Sequence, residues 1–508
     1  MNESPANIAP MDAHNKALLG NVHPADWQNP TPRERYNLVV VGAGPAGLVA
    51  AAGAAGVGAK VALIERHLMG GDCLNVGCVP SKSLIKSARV AARSRRTEPF
   101  GVKTGGEVSV DFGEVMERVR RIRASISGAD SADRYQNELG VDVFLGDARF
   151  SGQTTLEVGG AELRFSRAVV ATGARAAAPD TPGLAEAGYL TNETVFNLTE
   201  LPRRLAVVGG GPIGCELAQA FRRLGSEVFL FQRGGQILNR EDPDAAEILH
   251  RVFLSEGIQL HEDCDVVGVE KSTSGRLVHF QCGGSGQQVE VDEILVGVGR
   301  APNVEGLGLE EAGVEYDART GVKVDDRLRT SNPRIFAAGD CCMKYKFTHA
   351  ADAAARIVIQ NALFWGRKKL SALTVPWCTY TDPEIAHVGM SEKEAAARGS
   401  EVDTYRRDIH ETDRGAADGV ADGFVKIITA KGSGKILGAT IVAEDAGNIL
   451  NVITLAMSQN IGLGGLANVI HPYPTQAEAV KQAADAYSRT RLTPFVKGLF
   501  EWILARRR

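Results

Sequence analysis

Short apolar runs that end abruptly in glycine punctuate the first two-thirds of the chain. Tyr36–Val41 runs into Gly42, and Leu205–Val208 runs into Gly209. A short apolar run bounded by turn residues predicts a strand buried on both faces, as in a parallel sheet. The first run is followed by a small-residue helix, Leu48–Gly56, and a strand, Lys60–Ile64. The second is followed by a helix, Cys215–Leu224, and a strand, Glu227–Phe231. One β-α-β unit therefore occurs twice. Between the copies the pattern predicts long helices over Cys73–Arg96 and Asp111–Leu139, then strands at Val141–Leu145, Thr155–Val158 and Ala168–Val170. Beyond the second copy it predicts strands at Glu293–Val298 and Ser331–Ala338 and a helix over Phe347–Leu363.

From about Lys369 the period changes. Trp377–Tyr380, Ile385–Met390, Gly423–Ile428 and Ile436–Val442 predict an antiparallel sheet, and helices follow at Gly447–Ser458 and Gln476–Arg489. The first 35 residues are polar and proline-rich and predict a partly ordered extension, with His23 and Trp27 as candidate contacts to the body. At the other end, Leu492–Arg508 is amphipathic: Val496, Leu499, Phe500 and Ile503 share a face, Trp502 flanks it and three arginines follow. It reads as a helix packed on the body or as a weak membrane-surface contact.

The expected fold class is α/β, with two Rossmann-like dinucleotide-binding domains and a C-terminal α+β domain. The expected boundaries are an extension at 1–35, a discontinuous first nucleotide domain at 36–190 and 302–368, a second at 191–301, the α+β domain at 369–490 and the tail at 491–508. The 508 residues are 44% hydrophobic and 23% charged, an ordinary globular composition. A net charge of −4 gives no reason to expect a nucleic-acid partner. No apolar run reaches spanning length, and eight cysteines are too few for a disulfide scaffold, so a cytoplasmic setting is expected.

Each glycine run carries a physical demand. In Gly42-Ala43-Gly44-Pro45-Ala46-Gly47, the first glycine makes a tight turn and the second lets backbone approach a pyrophosphate. The third packs helix on strand, and the helix N-terminus faces the phosphates. Glu65 ends the next strand, 23 positions after Gly42, where a carboxylate accepts from a ribose hydroxyl. In the second copy Gly209, Gly211 and Gly214 repeat the spacing, but Gln232-Arg233 stands where the acid was. Removing the acid and adding a cation favours a 2′-phosphate, hence NADPH over NADH.

Between the copies lies Gly70-Gly71-Asp72-Cys73-Leu74-Asn75-Val76-Gly77-Cys78-Val79-Pro80-Ser81-Lys82. In a straight helix, residues five apart are separated by about 7.5 Å along the axis. A disulfide needs Cα atoms roughly 4.4–6.8 Å apart. If the two cysteines pair, the backbone between them is distorted, and Gly77 eases that. A reactive redox pair, a structural disulfide and two buried free thiols all fit the spacing.

The flanking residues resemble the redox segment of the class I pyridine nucleotide–disulfide oxidoreductases, a family that includes glutathione reductase, dihydrolipoamide dehydrogenase and mercuric reductase. The resemblance covers about residues 36–490. It implies FAD held by Gly42, Gly44, Gly47, Glu65, Arg66, Gly71, Thr172, Gly173, Gly339 and Asp340, with Arg300 at a second crossing between domains. It implies NADPH, or less expectedly NADH, at Gly209, Gly211, Gly214 and Arg233. It further implies a Cys73–Cys78 redox disulfide, with Cys78 nearer the flavin and Cys73 attacking substrate, and a Lys82–Glu216 ion pair beside the flavin. The C-terminal domain becomes a homodimer interface. No resident metal site is expected, and Cys341-Cys342 reads as packing rather than a metal pair.

Most of the family carries His-Pro-Thr-x-x-Glu near its C-terminus. Here the run is Tyr473-Pro474-Thr475-Gln476-Ala477-Glu478, with Tyr473 in the place of the proton-donating His and His471 two positions earlier. A Tyr there is similar to the mercuric reductase-like members. The sequence closes on Ala505-Arg506-Arg507-Arg508 where those members carry vicinal cysteines, so neither that cysteine pair nor their cysteine-bearing N-terminal domain is expected here. The expected function is an NAD(P)H-dependent flavoprotein reductase of a small disulfide or other electrophile. A soft-metal-ion reductase is the alternative, and a redox-sensing or membrane-associated flavoprotein a further one.

Overall fold

The computed structural model describes residues 8–508; the first seven residues of the expected extension lie outside it. Two compact units are present. One comprises residues up to Arg233 together with Gly257–Leu373; the other joins Gly234–Glu256 to Thr374–Arg508.

In the first unit, Asp142–Leu145, Val61–Glu65, Tyr36–Val41 and Ala161–Val170 lie side by side in parallel, and Ile335–Ala337 adds to the last. The strand Ala161–Val170 is longer than expected because its first half forms antiparallel pairs with Thr155–Val158. Val39, Val41, Ala62, Ile64, Phe144, Phe165 and Val170 bury the sheet's core. The second parallel sheet has the order Gln259–His261, Glu227–Phe231, Arg204–Val208, Glu293–Val296. An antiparallel three-stranded sheet, Cys264–Lys271, Arg276–Cys282 and Ser285–Val291, follows it. The sequence reading did not include this sheet, whose alternation (Cys264 and Val266; Val278, Phe280 and Cys282) is short and is interrupted by an irregularity between Val266 and Gly268.

Two expected helices are broken. Cys73–Arg96 is two helices, Gly71–Asn75 and Cys78–Arg95, because Val76 and Gly77 leave helical geometry. Asp111–Leu139 is a helix over Phe112–Ser127, capped by the Asp111 carboxylate, then a 3-10 turn at Gly128–Asp130 and a π-turn at Arg134–Glu138. The extension is more ordered than expected over its described part. Asp12 caps a helix, Ala13–Val22, whose Asn15, Leu18 and Val22 are buried. Trp27 donates to the Val143 carbonyl, and His23 bonds the His67 carbonyl.

The second unit has a five-stranded antiparallel sheet in the order Pro376–Thr379, Glu384–Gly389, Ile436–Ala443, Phe424–Ala430, Val402–Asp408. The helices Ala446–Ser458 and Glu478–Thr490 cover its apolar face through Ile449, Ile453, Val480 and Ala483. The tail is a helix, Pro494–Ala505, with Phe495, Leu499, Phe500 and Trp502 exposed. No helix among the described residues is long and apolar enough to cross a membrane.

Candidate active site

The break at Val76–Gly77 builds the cysteine site. A Cβ on Gly77 would lie 2.7 Å from the Asp72 carbonyl oxygen, so only glycine lets the chain fold back on Cys73. Cys78 then opens the helix Cys78–Arg95, where peptide dipoles favour a thiolate. The Cys78 sulfur accepts a hydrogen bond from Cys73, which lowers its pKa to about 6; Thr348 and Lys82 assist, against burial. Thr348 Oγ1 stands 3.4 Å from the Cys78 sulfur. Cys73 is pushed up by the same contact with Cys78 and by burial. The contact thus polarises the pair, favouring the thiolate at Cys78 and the thiol at Cys73.

One turn on from Cys78, Lys82 Nζ donates to Glu216 Oε2 at 2.8 Å. Glu216 is buried on the helix Pro212–Leu224, so this pair ties the cysteine helix to the second nucleotide fold. Removing one partner from such a pair strands a buried charge.

The two glycine loops are alike atom for atom. Gly42 has φ +102°, and its Cβ would meet the Ala171 carbonyl oxygen at 2.4 Å; Gly209 has φ +110° and would meet that of Gly297 at 2.6 Å. A Cβ on Gly47 or Gly214 would overlap the carbonyl oxygen of Gly42 or Gly209, at 1.8 and 1.9 Å. The middle glycines differ. A Cβ on Gly44 would meet nothing nearer than 3.8 Å, and one on Gly211 nothing within 4 Å. Internal packing does not require glycine at these two positions, and both leave the backbone open to approach by an external group. The residues therefore fit two dinucleotides.

The strand-end residues also match. Glu65 accepts from the amides of Ala43 at 2.7 Å and His67 at 2.8 Å, while burial pushes its pKa up. Gln232 Oε1 accepts from the Gly210 amide at 3.0 Å. Arg233 is exposed but engaged: its guanidinium donates to Asp265 Oδ1 at 3.1–3.2 Å. Spacing alone gave no sign of this carboxylate, 32 positions away.

Thr172 Oγ1 donates to the Asn303 carbonyl at 2.6 Å, Gly173 adopts φ +69° and Gly339 φ +83°. Asp340 is pushed up by burial, against the pull of Arg300, whose Nε is 3.4 Å away. Arg300 also pairs with Asp72, beside the cysteines, and donates to the Ala174 carbonyl at 2.5 Å. Gly71 packs on Gly44, where a Cβ would approach the Gly44 Cα to 2.7 Å, and Arg66 is exposed. Cys341 is buried and Cys342 half-buried, bonded to the carbonyls of Val170 and Gly339. Sequence reasoning missed a disulfide, Cys264–Cys282, across two adjacent strands.

Tyr473 and Glu478 belong to the second unit. Tyr473 is exposed, and its hydroxyl donates to Asp413 Oδ2 at 2.5 Å, which raises its pKa. Glu478 Oε1 accepts from Gln482, while its buried Oε2 has no hydrogen-bond partner among the described residues. Burial lowers the pKa of His471, and its Nε2 likewise has no hydrogen-bond partner among the described residues.

A family model for "pyridine nucleotide-disulphide oxidoreductase" matches residues 36–355, and that family's dimerisation domain matches 375–484. The chain belongs to this family of oxidoreductase enzymes. A mercuric reductase of Lysinibacillus sphaericus is 34% identical over 457 residues, 90% of this chain and 83% of that one. A dihydrolipoyl dehydrogenase of Thermus scotoductus is 34% identical over 462 residues, 89% and 97% of the two chains. The HOCl-induced flavoprotein disulfide reductase RclA of Escherichia coli superposes with TM-score 0.79 at 26% identity, covering 89% of this chain and 99% of that one. Membership implies FAD and a pyridine nucleotide, and the dimerisation domain supports a homodimer. These matches lend no support to membrane contact by the tail.

Proposed function

We propose that the protein is an NADPH-dependent flavoprotein reductase that passes electrons through Cys73 and Cys78 to a small electrophile. The observation that carries this reading is the polarised cysteine pair on the helix whose Lys82 is paired with buried Glu216. Bound FAD would supply the two-electron redox chemistry that links the nucleotide to the cysteine pair. Gly42, Gly44, Gly47, Gly71, Glu65, Arg66, Thr172, Gly173, Gly339, Asp340 and Arg300 would hold it; Gly209, Gly211, Gly214 and Arg233 would hold the nucleotide.

In this reading Cys78 is the stabilised thiolate and Cys73 the nucleophile. Cys73 loses its proton as the acceptor arrives, and Lys82 keeps positive charge beside the site. Tyr473, whose single hydroxyl proton rests on Asp413, would have to turn that proton to the acceptor or leaving group as it arrives, with the Asp413 and Glu478 carboxylates beside it. A phenol is a weaker proton donor to a leaving thiolate than imidazolium, which argues against a dedicated glutathione or lipoamide enzyme.

The same Tyr473 favours a second reading, reduction of a soft metal ion at the two sulfurs, in keeping with the mercuric reductases among the relatives. NADPH oxidation with a panel of disulfides, quinones and thiol-complexed metal ions tests both. A panel with no acceptor faster than oxygen overturns the reductase reading.

A further inference from the structure

Outside the active site, one cluster brings soft donors together. His261 Nδ1 or Nε2, Cys264 Sγ and Cys282 Sγ lie within 4.8 Å of one another. His261 ends the strand Gln259–His261, and Asp263 (φ +52°) turns the chain so that Cys264 opens the next strand. Cys282 faces Cys264 directly across the antiparallel pair. The His261 ring is stacked on Phe231 at 5.0 Å and bounded by Phe280, also at 5.0 Å, so its plane is fixed. Cys264 is buried; the other two are half-buried, leaving one side open. The bland reading of the two sulfurs is a structural staple. It accounts for the cross-strand pair but not for an imidazole held against both.

We propose that Cys264 and Cys282, once reduced, bind a single soft metal ion of the Zn(II)/Cu(I) class together with His261, so that disulfide and metal are alternative states of one site. Two thiolates and an imidazole suit such ions. Metal–sulfur and metal–nitrogen bonds of about 2.3 and 2.0 Å require donors roughly 3.5–3.8 Å apart, which small side-chain rotations supply from the present positions. Reduction takes two equivalents of a small thiol. Their two electrons and two protons pass to the Cys264 and Cys282 sulfurs, and the small thiol leaves as its own disulfide. Metal binding then displaces both protons. Solvent fills a fourth position on the open side. The site adjoins the nucleotide fold, since the Cys264 amide donates to the Gln232 carbonyl at 3.0 Å.

The test uses FAD-loaded protein carrying Cys73→Ser and Cys78→Ser, so that the other reactive pair is silent. It is reduced with a small thiol, desalted anaerobically and titrated with Co(II). One equivalent should bind with an intense sulfur-to-cobalt band and tetrahedral visible bands, and Zn(II) should displace it. Adding Cys264→Ser should abolish the band. His261→Gln should keep a weakened band, shift it and lower affinity at least about tenfold. Flavin content reports that each variant is folded. A flavin-loaded parent with no such band, a band that survives Cys264→Ser, or unchanged affinity in His261→Gln would each overturn the site.

Discussion

Tyr473 gives its hydroxyl to Asp413, at 2.5 Å, and not to Glu478, although Glu478 occupies the position from which the family's acid orients a histidine. The phenol is therefore held by a carboxylate that raises its pKa, and it stays protonated at neutral pH. A residue so placed keeps its one proton on Asp413 and surrenders it poorly to a leaving thiolate. Glutathione disulfide and lipoamide should be poor substrates. Tyr473→His should raise disulfide turnover, within the 10²–10⁴-fold typical of general acid help, because Glu478 Oε2 is free to orient the new imidazole. Tyr473→Phe should slow the native reaction. Steady-state NADPH oxidation measures both; a Tyr473→His enzyme no faster on disulfides would show that the cleft, not the acid, limits them.

The asymmetry of the cysteines gives a pH prediction. Cys78 has its pKa lowered, so its thiolate is present above about pH 6 and lost as pH falls through that value. The two-electron-reduced enzyme should show a long-wavelength thiolate-to-flavin band that fades with protonation on the acid side. Cys78→Ser should abolish it and Cys73→Ser should keep it. Lys82→Met should move the fading to higher pH, because a cation that favours the thiolate is gone. Identical behaviour of the two serine variants would reverse the assignment of the sulfurs.

The glycine loops separate folding from binding. Gly214→Ala drives a methyl into the Gly209 carbonyl, a backbone atom that cannot swing away. It should destabilise by about 1–3 kcal/mol or more. Gly211→Ala meets nothing within 4 Å, so the protein should melt as wild type yet bind the nucleotide at least about tenfold more weakly. Gly44→Ala should likewise fold but retain less flavin. Thermal melts, flavin content and KM for NADPH distinguish these outcomes; a Gly211→Ala enzyme with unchanged KM would remove the nucleotide from this loop.

The difference between those glycines was legible in the spacing, because turn, approach and packing impose local demands that the sequence must meet within a few residues. Tyr36–Val41 and Glu227–Phe231 were legible for the same reason: buried parallel strands leave uninterrupted apolar runs. The break between Cys73 and Cys78 was foreshadowed by Gly77, yet Cys73–Arg96 still reads as one helix because Leu84, Lys86, Ala88, Ala91 and Ala92 make its second half strongly helical. The N-terminal helix had a readable cap at Asp12 but only a thin buried stripe at Asn15, Leu18 and Val22. Cys264–Cys282 and Arg233–Asp265 were not legible. Each depends on the register of strands whose exposed faces carry no pattern, and on a turn at Asp263 that no glycine announces.

Arg233 and Asp265 set the last prediction. With Gln232 and no acid at the end of the strand Glu227–Phe231, that position does not repel a 2′-phosphate, and Arg233 offers a cation. Asp265 Oδ1 holds that cation, and its own charge opposes a phosphate. Using Arg233 for NADPH therefore means breaking an exposed ion pair, a cost of about 0.2–1 kcal/mol. The native preference for NADPH should be real but modest. Asp265→Asn should release the arginine and strengthen the preference by up to about fivefold, the ratio equivalent to that cost. Arg233→Ala should narrow the preference by roughly tenfold, about 1.4 kcal/mol, as one charge-assisted contact is lost. The measurement is kcat/KM for NADPH over that for NADH in the three proteins. Opposite shifts in the two variants support a phosphate contact at Arg233. If Asp265→Asn favours NADH, or if wild type itself prefers NADH, the arginine serves only its partner across the strand.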